Sequence, residues 1–507
     1  MKKLLLLTLL LVLTACGGGN GVPEDLYVYE PQTYETQPQT ETEVPPQATP
    51  PQTTPPEPET VPTPYTPRPA GSVWTVANTW PGFGITSEEW VEDIIQFRNH
   101  VFAWHPKFNY EPIIDFPRNV AMGIAFDEWI DWLIDNVTYM SCFEVKVELQ
   151  RALALLEDNH LRFNDMTPEK SFVNLLTRYR YPLEFRWFVD GIYLIRAEEK
   201  YSGALNYRLV AINNTLLDDI FTKFKKFLGT ENIYDARNAF ASYLNSPGLL
   251  YALGVPPREG QLTVYVFEGI RGSLYFDVPE AFQRVPYGRG WHYYTFPIPL
   301  VDSRNYEGLP LFLHHPYRVH WYTFIEEYGI LYIRIHAYEI WFYTDFTQDI
   351  IRFIANNGDN IRATVVDARD NVGGDSAPHI SNIFHRLVAA TPEGKLFYFM
   401  NEGSRSASLI AALNLYESGA IMVGQPQGQI IDFYSTGWHN LTPPFATVLQ
   451  NSGLGLIVPN RHRIFSNGNF QTADDLIFRP HILIEYTIYD WINNHDPYLE
   501  YVKNLLR

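Results

Sequence analysis

The run Asp367-Ala-Arg-Asp-Asn-Val-Gly-Gly-Asp-Ser376 ends a short apolar segment, residues 363–366, that is too brief for a helix. A second polar turn, Asn401-Glu-Gly-Ser-Arg-Ser406, ends the strand-like residues 396–400 and opens a helical pattern at Ala407. Upstream, Leu331, Ile333 and Ile335 alternate as in a strand, and Phe346, Ile350, Phe353 and Ile354 recur at helical spacing as far as Asn357-Gly358. Between the two polar turns, Ile380, Ile383, Phe384, Leu387 and Val388 form another helical stripe, and residues 420–423 close the unit as a strand. Strands alternating with helices predict a parallel sheet covered on both faces.

In such a sheet, chemistry gathers beyond the carboxyl ends of the strands. Ser406 is expected there, at a helix N-terminus whose free N–H groups favour negative charge. Gly373 and Gly374 are expected at the neighbouring strand end, where the missing Cβ lets backbone amides approach a ligand. A serine, free amides and a glycine turn at adjacent strand ends are the parts of an acyl-transfer site.

Asp367-x-Arg369-x-Asn371-x-Gly373-Gly374, followed by Ser404-x-Ser406-Ala407, resembles the motifs of the tail-specific (C-terminal-processing) serine peptidases. Asp158-Asn159-His160 resembles that family's Asp-Gly-His, Leu449-Gln-Asn451-Ser452-Gly453 its Leu-Pro-Asn-Ser-Gly, and Asp496-Pro497-Tyr-Leu499-Glu500 its ending. The resemblance runs from about residue 145 to 507. It implies an α/β core of the ClpP/crotonase-like type, a spiral of β-β-α units, with Ser406 as nucleophile. The amides of Gly373, Gly374 and Ala407 are then the implied oxyanion and substrate contacts.

The bacterial processing peptidases take the serine proton with a lysine about two dozen residues further on. Here that stretch reads Gly424-Gln-Pro-Gln-Gly-Gln-Ile430, and Lys503 is the sole lysine after Ser406. The chain is therefore similar to the lysine-lacking branch, the tricorn-type core and the retinoid-binding-protein-like members. A histidine base is implied instead, and His160 fits, since an imidazole accepts a proton at neutral pH. Its acidic orienter is either Asp474, six residues before Pro480, or Asp158. Ser404 stands where the family has Thr, and Leu409 where it has Glu. The implied activity is serine-type endopeptidase hydrolysis of a peptide or protein substrate. The rival is an inactive ligand-binding or envelope-assembly lipoprotein on the same fold.

The remainder of the chain sets the context. Met1-Lys-Lys precedes a short apolar run, residues 4–13, and Leu13-Thr-Ala-Cys16 resembles a bacterial lipoprotein cleavage box. The expectation is a signal peptide over 1–15 and acyl chains on Cys16 that hold an extracytoplasmic protein at the membrane. Residues 16–71, rich in Pro, Thr and Gln, read as an extended tether. Residues 72–165 read as helical, with Ser87 as a cap; 166–290 as a β-rich, PDZ-like insert around Leu209-Val-Ala-Ile212-Asn213; and 291–507 as the peptidase core. A formal charge of −19 without a basic stripe excludes nucleic acid as a partner. There is no CxxC, HExxH or phosphate loop, so neither metal nor cofactor is expected.

Overall fold

A computed structural model describes residues 85–507 apart from 110–115, 165–178, 257–262, 270–272, 277–279, 282, 288–290, 296–298, 305–306, 317, 339–342, 375–376, 436–445, 464 and 466–472. The signal sequence, Cys16 and the tether lie outside the described residues. Helix α1, Ser87–Trp104, starts at a capping box: Thr86 Oγ1 accepts from Glu89 N at 3.2 Å, and the Glu89 carboxylate accepts from Thr86 N at 2.7 Å. Ser87, expected as the cap, is instead the first helical residue, because Thr86 has the extended backbone that a cap requires. Trp90, Ile94, Phe97 and Val101 form the buried face of α1. Helix α2, Phe116–Asn136, packs against it. Helix α3, Cys142–Ala154, capped by Ser141 and Glu144, delivers the chain to Asp158-Asn159-His160. Among the described residues no helix is long and apolar enough to cross a membrane.

Strand β1, Arg162–Asn164, follows, then β2, Leu183–Phe188, β3, Gly191–Glu198, and β4, Leu209–Ile212. Asn213 and Asn214, both at positive φ, turn the chain back on β4. The region expected to be strand-rich then turns helical: α4, Leu217–Lys225, α5, Ile233–Tyr243, and α6, Pro247–Ala252. Asp218 and Asp219 at the start of α4, and Lys223 and Lys225 at its end, match the helix dipole. Asn232 caps α5 by accepting from Tyr234 N and Asp235 N. A hairpin, β5, Thr263–Phe267, with β6, Ser273–Phe276, follows.

The core sheet is built from β7, His320–Ile325, β8, Ile330–Ile335, α7, Tyr343–Asn357, β9, Ala363–Asp367, α8, Ala377–Ala390, β10, Leu396–Met400, α9, Ala407–Glu417, and β11, Ile421–Gly424. Beyond these come β12, Ala446–Val448, β13, Gly455–Ile457, β14, Ile482–Leu483, and α10, Pro497–Asn504. The six-stranded sheet runs β7-β8-β9-β10-β11-β14, parallel except for the antiparallel edge β7. Alternate side chains separate cleanly. Leu331, Ile333, Val366, Tyr398 and Met422 join one core with Ile350, Leu387 and Leu415 of the helices. Ile330, Tyr332, Val365, Phe399 and Val423 join another with Tyr498, Leu499 and Val502 of α10. Both faces are therefore covered, which is why these strands read as unbroken apolar runs.

The motif residues hold this architecture together. Asp367, at the end of β9, and Arg369 are buried, and Arg369 grips Asp496, the N-cap of α10, with Nη1 and Nη2 at 2.9 Å from its two carboxylate oxygens. Arg334 adds a second guanidinium, 3.4 Å from Asp367 Oδ1. Burial alone would raise the Asp367 carboxyl, but Arg369 and Arg334 outweigh it and hold its pKa at about 2. Asn451 N and Ser452 N donate to the Asp93 carboxylate of α1 at 2.9 and 2.7 Å. The nearby β12-β13-β1 sheet lays the strand after His160 against this C-terminal segment.

Arg369→Leu leaves two carboxylates buried without their shared cation, so it lowers the unfolding free energy at pH 7 by about 3–5 kcal/mol in urea titrations. The stabilisation from Asp367 is present above the unfolded pKa near ~3.9 and is lost as pH falls through about 2, so the gap from wild type narrows in acid. Coincident unfolding curves at pH 7 count against this role.

Candidate active site

Ser406 sits between β10 and α9 as the helix N-cap, half-buried, with φ 55° and ψ −121°. A non-glycine residue in that region carries roughly 1–3 kcal/mol of strain and persists only where its surroundings over-determine it. They do so here. Arg405 N donates to Asn371 O at 3.0 Å, Ser404 Oγ donates to Ala368 O at 2.9 Å, and Ser406 O accepts from Leu409 N and Ile410 N. Asn371 Nδ2 reaches Ile335 O at 2.9 Å, so one asparagine ties β8, the glycine turn and the serine turn together. Leu409 is wholly buried in the apolar core beneath the helix.

The glycine pair is sterically required. A Cβ on Gly373 would lie 2.6 Å from Ser406 Cβ, and one on Gly374 would lie 1.9 Å from Tyr338 O. Gly373 does not serve as a free oxyanion donor, however, because its N–H donates to Asn371 Oδ1 at 2.9 Å. The amides of Gly374 and Ala407, at the bridge to Tyr338 and at the first residue of α9, remain as candidates.

His160 is buried, stacked on Phe433 with ring centroids 5.8 Å apart, and its own N–H donates to Asp158 Oδ1 at 2.8 Å. Burial, with added repulsion from Arg162 and Arg405, lowers its pKa to about 4 against the pull of Asp158. The imidazole is therefore neutral at pH 7. Asp158 is fully buried and accepts from His105 Nε2 at 2.9 Å, so it fixes the backbone of His160 and pairs with a different imidazole. Asp474, the other expected orienter, is exposed in a one-turn helix at Ala473–Leu476 and has no bond or ion pair to His160. The carboxylate that faces the ring is Glu231, its Oε1 4.0 Å from His160 Nδ1.

Gln429 joins the two halves of the site. Its Oε1 accepts from Ser406 N, and its Nε2 lies 3.3 Å from His160 Nδ1, 3.0 Å from Glu231 Oε1 and 3.4 Å from Asn159 Oδ1. Ser406 Oγ makes no hydrogen bond to the His160 ring among the described residues; the pair is linked through this one side chain. Glu231 also accepts from Ile430 N at 3.2 Å, and its pKa is raised well above the carboxylate range, first by burial and then by Asp158.

Glu231 and Gln429 were missed in the sequence. Gln429 stands 23 residues after Ser406, where the family spacing puts its lysine, and that spacing was the available signal. Glu231 gave none, since it precedes a helix in a region read as strands. Asp158, His160 and Glu231 do place donor atoms within 4.8 Å of one another. That is wide for a tight zinc set with bonds of about 2.0–2.2 Å.

Gly373→Ala introduces both the 2.6 Å contact and a strained φ of 99°, so the Ser406 turn must shift. The expected result is loss of at least ~100-fold in serine-probe labelling with retained secondary structure by circular dichroism, since a small misplacement of reacting groups has that effect. Undiminished labelling would show that the turn tolerates the methyl group.

No protein-family model matches the chain, and no curated protein matches its sequence. Among solved structures the chain is similar to mature CPAF, with TM-score 0.51 and 11% identity over 83% of this chain and 96% of that one. It is likewise similar to mature CPAF complexed with lactacystin, with TM-score 0.50 and 12% identity over 83% and 97% of the two chains. The photosystem II D1 C-terminal processing protease aligns over 83% of this chain and 98% of that one, at 13% identity and a TM-score of 0.34. At such identities the likeness is one of fold. The chain shares the fold of mature CPAF, mixed α/β sheets preceded by a helical region.

Proposed function

We propose that this protein is a serine peptidase, anchored outside the cytoplasm through lipid on Cys16, that hydrolyses peptide bonds of protein substrates. The observation that carries the reading is Ser406, held in a strained turn at a strand end and joined through Gln429 to a buried, neutral His160. Ser406 Oγ attacks the substrate carbonyl carbon as His160 takes its proton, and the tetrahedral oxyanion lies against the Gly374 and Ala407 amides. The imidazolium then returns the proton to the leaving amine, and water repeats the sequence on the acyl-enzyme. Gln429 has to leave the imidazole for the first step, because it occupies His160 Nδ1 in this structure. Glu231 is the acid that faces the ring. The core is assigned to the ClpP/crotonase-like spiral, with the insert as a PDZ-like module, on the fold resemblance alone.

A fluorophosphonate probe labels the wild type and not Ser406→Ala, with melting temperatures nearly equal. Labelling of both would move the nucleophile elsewhere, and labelling of neither favours a binding lipoprotein on this fold. His160→Ala lowers kcat by roughly 10²–10⁴-fold. Lys503→Ala leaves kcat unchanged, because that ammonium pairs with Glu500 on α10. With His160 neutral above about 4, the rate is flat across neutral pH and its acid limb falls near 4. A limb near ~6.5, the unperturbed imidazole value, contradicts the buried position of the base.

Radiolabelled palmitate is incorporated in a bacterial host, and Cys16→Ser releases the protein from the membrane fraction. Equal membrane retention of that variant rules out the anchor.

A further inference from the structure

A cavity of about 320 Å³ opens beside the site. Asn159 and Arg405, the chain neighbours of His160 and Ser406, both line it, so it begins where a scissile peptide bond would lie. Phe163 of β1, Phe224 of α4, Phe227 just after it, and Leu249 of α6 form apolar wall, and each is almost fully buried. A space of this size takes one or two substrate side chains.

The charge in the cavity is unbalanced. Arg162, Arg405 and Asp235 also line it. Arg405 Nη1 lies 3.4 Å from Asp235 Oδ1, and Asp235 Oδ2 accepts from Asn159 Nδ2 at 3.3 Å. That single carboxylate is shared, and burial pushes its pKa up. Arg405 Nε is buried with no hydrogen-bond partner among the described residues. The side chain of Arg162, exposed on β1, forms no hydrogen bond or ion pair with a described residue. Desolvation lowers the pKa of Arg162 against the pull of Asp158, and the positive charge of Arg405 adds to the lowering. A buried donor without a partner is uncommon, and a positive surplus is the more notable in a chain of net charge −19.

We propose that this cavity is the subsite for an acidic side chain of the substrate, flanking the bond that Ser406 attacks. This rests on the peptidase reading and adds the substrate class to it. The methylene stem of a glutamate packs along the aromatic wall, while its carboxylate accepts from the two guanidiniums, whose planar forks suit that geometry. An apolar residue of equal size leaves the Arg162 guanidinium and Arg405 Nε without an acceptor, which is how a polar site rejects an analogue.

The test separates binding from cleavage. Short peptides of mixed sequence, acetylated and amidated so that only side chains carry charge, hold Glu, Gln, Leu or Lys at one central position. On the full-length Ser406→Ala protein, the Glu set binds roughly 10- to 100-fold tighter than the Gln set, the span of a charged hydrogen bond. Arg162→Gln in that background removes most of the preference, and Arg162→Glu turns it toward the Lys set, with folding checked by thermal melting. Equal binding of the Glu, Gln and Leu sets overturns the proposal, as does a preference undiminished in Arg162→Gln. A second series with a free terminal carboxyl distinguishes the sources of carboxylate: affinity that follows the chain end alone overturns the side-chain assignment. Cleavage by wild type reports on the peptidase reading independently. A Glu preference in binding without any cleavage upholds the subsite and sinks the enzyme.

Discussion

Two buried arginines and two buried aspartates close on one another at the carboxyl end of the central sheet, and the geometry of the site depends on them. Arg369 holds Asp367 on one side and Asp496 on the other, stacked between Phe312 and Tyr498, with Arg334 supplying the fourth charge. Each ion carries a desolvation penalty of several kcal/mol, so the network adds little net stability over a well-packed apolar substitute. What it supplies is position. Asp367 and Arg369 flank Ala368, whose carbonyl receives both Ser404 Oγ and Asn371 N. The charges therefore fix the turn on which Ser406 hangs, and Asp496 brings the C-terminal helix against the sheet.

From that fixed turn the strain at Ser406 follows. The backbone at Arg405 is tied to Asn371, Asn371 is tied to β8, and Gly373 leaves no room between the two loops. A serine in an ordinary conformation would point along the helix start and disengage these bonds. The roughly 1–3 kcal/mol of backbone strain is offset by several hydrogen bonds of about 1 kcal/mol each, which is why the conformation can persist.

The periodic parts of this chain were legible because a sheet covered on both faces needs long apolar runs, and those of β8, β9 and β10 stand out. The two polar turns were legible because their residues are specified by contact: Gly373 and Gly374 by approaches under 3 Å, and Asn371 by the two bonds of its side-chain amide, to Ile335 O and from Gly373 N. The helices α4 to α6 were not. They are short, and the Tyr and Phe among their apolar residues serve equally in strands, so the pattern favoured the wrong period. Nor was the acid beside His160. Asp158 is adjacent in sequence yet turns to His105, whereas Glu231 arrives from 71 residues away along the chain by the packing of α5 on the core. A carboxylate placed by tertiary packing leaves no local signature.

The state of the imidazole follows from a hydrogen bond on the other side of the site. A main-chain N–H can only donate, so Ser406 N fixes the orientation of the Gln429 amide, with oxygen toward the serine. The Gln429 nitrogen must then face Glu231, Asn159 and His160, with two N–H hydrogens to share among the three and no capacity to accept from any of them. His160 Nδ1 is thereby an acceptor, which puts the proton of the neutral ring on Nε2. The lone pair a base needs is thus on the nitrogen that Gln429 covers. A lysine in the place of Gln429 could itself take the serine proton, whereas an amide has no such capacity and controls which nitrogen can. On the proposed reading the proton chemistry falls to His160, conditional on the movement of one side chain, the same one that holds the Ser406 amide.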